Sequence, residues 1–221
     1  MRAVISDLFE TLITEWGKVK YTSQAVANDL GVTEHDLRRE SAALQKQRYS
    51  GEISDTVQYY KIILQRLGVT RDESLLHKVF AKREASKKKC FEAIDPEIIN
   101  LLQTLKEKGY KTGLISNCST EEITGLKACQ LYAYLDVAVL SCDVGLIKPD
   151  KQIYEYAASL LQVNPAECFF IGDGGSDELN GAKAAGMTPL KASWYIKHFA
   201  DNPESIYPSF MSIDELKKFL C

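Results

Sequence analysis

The sequence predicts an α/β protein: a doubly wound, Rossmann-like parallel sheet with helices on both faces and an all-helical segment inserted after the first strand. Three observations carry this. Short apolar runs alternate with amphipathic helical stretches from Asp95 to the C-terminus. A lone apolar run, Ala3 to Ile5, stands far ahead of them and belongs to the same sheet. Between the two, from Tyr21 to Lys89, the chain reads as nearly all helix. The pattern changes near residues 14 and 92, so residues 1–13 and 93–221 read as the core and 14–92 as a helical cap.

Each element has a local reason. The first strand ends at Asp7, with Thr11 four residues on. Thr22-Ser23 caps a helix to Leu30, stopped by Gly31. Thr33 with Asp36 opens a second helix in the manner of a capping box. Ser54 precedes Val57, Tyr60, Ile63, Leu64 and Leu67, spaced at three and four, and Gly68 ends that run. Arg71 to Glu84 makes a fourth helix, and Lys87-Lys88-Lys89 reads as a solvated helix end favoured by the helix dipole. Pro96 opens a helix through Ile98, Leu101, Leu102 and Leu105, closed by Gly109. A strand from Thr112 to Ser116 follows, then a helix from Thr120. The rest reads as a strand from Leu135 to Ser141, a helix from Asp150 to Leu161, and a strand from Cys168 to Ile171. A helix from Ser176 to Ala185, a strand from Thr188 to Ala192 and a helix from Ile213 to Leu220 close the chain.

Composition narrows the function classes. The 221 residues allow one large domain or a core with a smaller one. Net charge is −3, and the lack of basic excess argues against nucleic acid or an anionic membrane as partner. No apolar run approaches the roughly 18 residues of a membrane span. The first strand begins within three residues, leaving no room for a signal peptide, so a cytoplasmic protein is expected. The six cysteines form no CxxC pair and are expected as free thiols, mostly buried. His35, His77 and His198 lack ligand spacing and read as surface or helix residues.

Four polar clusters follow predicted strands or stand beside a helix start. They are Asp7 with Thr11, Ser116 with Asn117, Lys148 in Ile-Lys-Pro-Asp, and Asp173 with Asp177 in Gly-Asp-Gly-Gly-Ser-Asp-Glu. In open parallel sheets ligands bind beyond the carboxyl ends of the strands. If the clusters converge there, three carboxylates face one ammonium, and a divalent cation restores neutrality. Oxygen ligands with open positions favour Mg²⁺. Ser116 can donate to a phosphoryl oxygen and Lys148 can neutralise it. The glycines at 174 and 175 admit close approach but do not form the GxGxxG of dinucleotide sites.

The ordered set resembles the haloacid dehalogenase (HAD) superfamily of hydrolases. Asp-Leu-Phe-Glu-Thr-Leu, Leu-Ile-Ser-Asn, Ile-Lys-Pro-Asp and Gly-Asp-Gly-Gly-Ser-Asp-Glu are similar to its four motifs, and the insertion is similar to its cap of the first type. The resemblance implies a Mg²⁺-dependent phosphatase acting on a small phosphorylated metabolite. Asp7 is then the nucleophile, with Ser116 and Lys148 also catalytic. Thr11, Ser116, Asn117 and Lys148 bind substrate. Asp7, the Phe9 carbonyl, Asp173 and Asp177 surround Mg²⁺. A monomer or homodimer is expected.

One position departs from the pattern. Phosphatases of the family usually carry an acid where Phe9 stands, and general acid–base help is worth about 10²–10⁴-fold. Adjacent Glu10 is either a substitute or a hinge residue. The dehalogenase branch also lacks that acid, and Arg38 or Arg39 with Tyr154 resemble residues used there. A metal-independent 2-haloacid dehalogenase is therefore one alternative. A weakly active phosphate-binding protein is another.

Overall fold

The computed structural model describes residues 1–16, 21–196 and 205–221, and His198 lies outside them. Six parallel strands form one sheet: β1 (Ala3–Ser6), β2 (Lys111–Ser116), β3 (Val137–Leu140), β4 (Cys168–Gly172), β5 (Thr188–Ala192) and β6 (Ser209–Phe210), in the order β3-β2-β1-β4-β5-β6. β1 is central although it comes first in the chain. Successive strands step outward from β1 through β2 to β3 on one side, and from β4 to β6 on the other. The order in which strands are added reverses between β1 and β4, the place where a parallel α/β sheet opens a crevice.

Side chains alternate across β1 with the two-residue period of a strand. Val4 joins the core under α5 (Pro96–Glu107) and α9 (Ile213–Leu220). Ala3 and Ile5 join the opposite core under α7 (Lys151–Leu160) and α8 (Glu178–Ala184). Both faces are thus covered, and β1 reads as an unbroken apolar run because it is buried on both.

The inserted segment folds into α1 (Ser23–Leu30), α2 (Glu34–Tyr49), α3 (Thr56–Arg66) and α4 (Glu73–Lys88), around a separate core that includes Leu30, Leu44, Ile63 and Leu76. Thr22 and Thr33 cap as the sequence predicts, accepting from Ala25 and Asp36. Asp55 caps α3, accepting from Val57 N at 2.8 Å.

Four expectations are corrected. The helix predicted from Thr120 is a series of short 3₁₀ turns, Thr120–Glu122, Leu126–Ala128 and Gln130–Tyr134. Their backbone N–H groups bond three residues back, Glu122 to Ser119 and Ile123 to Thr120, and Gly125 lies so close to Phe91 that a Cβ would stand 2.7 Å from its ring. β3 stops at Leu140, and Ser141–Val144 turns into the short α6. β6 was not anticipated; its two residues carry no apolar alternation. Lys87 is not solvated: it is buried between Glu15 and Glu122, with its ammonium 5.0 Å from the centre of the Phe9 ring. No helix of the described residues is long and apolar enough to cross a membrane.

Candidate active site

The carboxyl ends of β1, β2 and β4 carry three of the four polar clusters side by side, because these strands are neighbours. Asp7 follows β1 and donates its backbone N–H to Ile171 at 2.8 Å, which ties the turn to β4. Lys148 arrives on the loop after α6. Its ammonium, buried, reaches both Asp7 Oδ1 and Glu178 Oε2. Asn117 holds that loop with two hydrogen bonds, accepting from Lys148 N at 2.8 Å and donating to its carbonyl at 2.9 Å.

Asp173 follows β4 and accepts from Gly175 N at 2.9 Å. Glu178, the first residue of α8, is buried and accepts from Gly174 N at 3.1 Å. Oxygen atoms of Asp7, Asp173 and Glu178 all lie within 4.8 Å of one another. Asp177 does not join them: it is exposed, and its carboxylate accepts from Asn180 at 2.6 Å. The acid that faces the cluster is its neighbour. A sequence reading cannot separate the two, since consecutive residues at a helix start point about 100° apart and the start itself is uncertain. Gly172 leaves the room that Glu178 fills, since a Cβ there would overlap its carboxylate.

The electrostatics follow from burial. Burial alone lowers the Lys148 pKa, but Asp7 and Glu178 outweigh it and hold the ammonium charged. Burial raises Asp7, with Lys148 opposing. Burial and then the Asp7 charge push Glu178 up to about 8, against the pull of Lys148. One lysine therefore does not neutralise three carboxylates. Ser116 and Thr11 are buried at the same sheet edge, and the hydroxyl oxygen of each has no hydrogen-bond partner within the protein. An unsatisfied buried hydroxyl costs about 1–3 kcal/mol, which a bound acceptor at Ser116 would recover.

The remaining candidates have structural partners. Arg38 is exposed and paired with Glu34, and Arg39 with Asp36 and Glu40. The Tyr154 hydroxyl is buried and donates to the Glu178 backbone carbonyl at 2.8 Å, fixing the start of α8. Glu10, in the left-handed region at φ 56°, accepts from Thr14 Oγ1 at 2.6 Å and Glu15 N at 2.9 Å. It clamps the turn that leads into the insertion.

A second buried network joins the insertion to the core. Arg48 Nη2 meets Glu121 Oε2 at 2.6 Å, and Arg83 reaches Glu121 at 3.1 Å and Glu122 at 3.0 Å. Lys87 meets Glu122 at 3.1 Å. Sequence inspection missed Glu121, Glu122 and Glu178 alike, because their partners lie far along the chain.

The fold is thus a doubly wound core with a helical insertion, and an Asp–Lys–acid cluster sits at the switch point of its sheet. The chain belongs to the haloacid dehalogenase-like hydrolases, whose family model matches residues 1–186. It is 30% identical over 138 residues to the pyrophosphatase PpaX of Bacillus mycoides, spanning 55% of this chain and 64% of that protein, under two thirds of its length. A 2-haloacid dehalogenase from Pseudomonas syringae shares the fold at a TM-score of 0.72 and 21% identity, covering 100% of this chain and 98% of the other. A HAD family enzyme from Bacteroides thetaiotaomicron, in complex with magnesium and inorganic phosphate, aligns at a TM-score of 0.64 and 17% identity over 87% and 94%.

Proposed function

We propose that this hydrolase is a Mg²⁺-dependent phosphatase of small phosphorylated metabolites. The observation that carries the reading is the excess of negative charge around Lys148: three converging carboxylates share one ammonium. The donor set fits a hard divalent cation, held by Asp7, Asp173 and the Phe9 carbonyl with Glu178 behind them. When bound, Mg²⁺ supplies neutralisation of the phosphoryl oxygens.

The chain's own residues do the rest. Asp7 attacks phosphorus, forming an acyl phosphate as the ester oxygen leaves, and water then cleaves that intermediate. Ser116 donates to a phosphoryl oxygen, and Lys148 balances its charge. Asn117 sets the position of Lys148. The inserted helices close over the site, exclude bulk water and select the leaving group. With Phe9 in place of an acid, esters with good leaving groups are the favoured substrates.

The test is a panel of phosphate esters and pyrophosphate, with Mg²⁺ and with EDTA, on the protein and its Asp7→Asn variant. Turnover that needs both Mg²⁺ and Asp7 supports the reading. No Mg²⁺-dependent turnover across the panel overturns it. Phe9 favours a second reading, attack of Asp7 on carbon in a 2-haloacid. Halide release that persists in EDTA would establish that one.

A further inference from the structure

Cys118 and Cys142 lie on segments that leave neighbouring strands. Ser116 pairs in register with Leu140, and each cysteine stands two residues beyond its member of that pair. Adjacent strands are about 4.8 Å apart, within the span of roughly 4–7 Å between Cα atoms that a disulfide bridges. The backbone is already tied at this point. Cys118 N donates to Ser141 Oγ at 3.0 Å, and Ser141 Oγ donates to the Cys118 carbonyl at 3.3 Å. The two sulfur atoms stand 3.9 Å apart as free thiols in contact.

The two thiols are not equivalent. Cys118 is fully buried, whereas Cys142 is half-buried, so an oxidant from solvent reaches Cys142 first. Their shared hydrogen bond lowers the Cys142 pKa and, with burial, raises that of Cys118. One cysteine is placed to react and the other to resolve.

We propose that Cys118 and Cys142 are a site of reversible disulfide formation under hydrogen peroxide. The Cys142 thiolate attacks one peroxide oxygen and the O–O bond breaks. Cys142 becomes a sulfenic acid, and the second oxygen departs and takes up a proton as water. The Cys118 sulfur then attacks the Cys142 sulfur, and its proton leaves with the sulfenic hydroxyl as a second water. The two sulfurs give up two electrons in all, and the peroxide accepts them. The new bond joins the residue after Asn117, which holds Lys148, to Cys142, on whose backbone carbonyl Gly51 of the insertion packs. It therefore sits between the reactive loop and the seat of the inserted helices. This inference does not depend on which substrate the enzyme hydrolyses.

The experiment treats the full-length protein with hydrogen peroxide and maps its peptides without reduction. A Cys221→Ser background removes the exposed thiol at the C-terminus. The expected product is a linked pair of peptides carrying Cys118 and Cys142, lighter by two hydrogens and separated again by dithiothreitol. In a Cys118→Ser variant, dimedone then labels Cys142, as it does not in the parent. Mapping of the parent needs no variant to fold. Two results would overturn the proposal: oxidation of Cys142 to sulfinic or sulfonic acid with no link, or unreacted thiols at both positions under peroxide that oxidises Cys221 in the unsubstituted protein.

Discussion

Replacing Glu122 by Gln tests whether the buried ion network fastens the inserted helices to the core. Glu122 Oε1 faces Arg83 Nη2 at 3.0 Å and Lys87 Nζ at 3.1 Å, and its Oε2 accepts from Ser119 N at 3.1 Å. Burial alone would raise its pKa, but Lys87 and Arg83 outweigh that and bring it down from 4.5 to about 2. At about 1.4 kcal/mol per pH unit, this depression is worth about 3 kcal/mol of stability. The figure agrees with the roughly 3–5 kcal/mol lost when one partner of a buried pair is removed. A lowered carboxylate pKa stabilises the fold above the unfolded value of 4.5, and the contribution is lost as pH falls towards 2. At pH 7 the variant should melt roughly 6–12 °C below the parent, and the two melting temperatures should converge as pH approaches 2. Thermal unfolding followed by circular dichroism between pH 7 and pH 2.5 reads both effects. A Glu122→Gln variant within about 1 kcal/mol of the parent at pH 7, or one whose pH profile runs parallel to it, refutes the reasoning.

Three further outcomes are expected. Phe9→Asp restores an acid beside the nucleophile and should raise phosphatase kcat by about 10²-fold or more, greatest for esters with poor leaving groups. Lys148→Met leaves the buried Asp7 and Glu178 without their counter-charge; turnover should vanish and unfolding free energy fall by about 3–5 kcal/mol in urea titration. Gly181→Ala places a methyl group onto the Pro149 carbonyl and 2.8 Å from the Tyr154 hydroxyl. It should cost about 1–3 kcal/mol, read by the same titration.

Much of the fold was legible because its signals are local. Thr22 and Thr33 cap their helices where the sequence suggests, and Pro96 begins α5. The strand β1 was placed in the distant sheet by the alternation that follows it, and it pairs with β2 and β4. What escaped depends on pairs remote in sequence. Lys87 looks like a solvated helix end until Glu15 and Glu122, 72 and 35 residues away, fold against it. Glu178 is invisible beside Asp177 because the left-handed backbone at Ser176 and Asp177 delays the start of α8 and turns the next acid inward. The site was therefore legible as a set of motifs, while the partition of acids within the last motif was not.

The central place of β1 has a consequence for how the protein is made. Ala3 pairs with Lys111 and with Cys168, so β1, once it has left the ribosome, waits for partners 108 and 165 residues later. At roughly 5–20 residues per second, that wait lasts from several seconds to half a minute. The inserted helices make mainly short-range contacts and can pack during this interval, ahead of the sheet that carries them. Asp7 is thus synthesised well before the strands that complete its site. A nascent chain interrupted before Cys168 would carry a folded insertion and a carboxylate with no site around it.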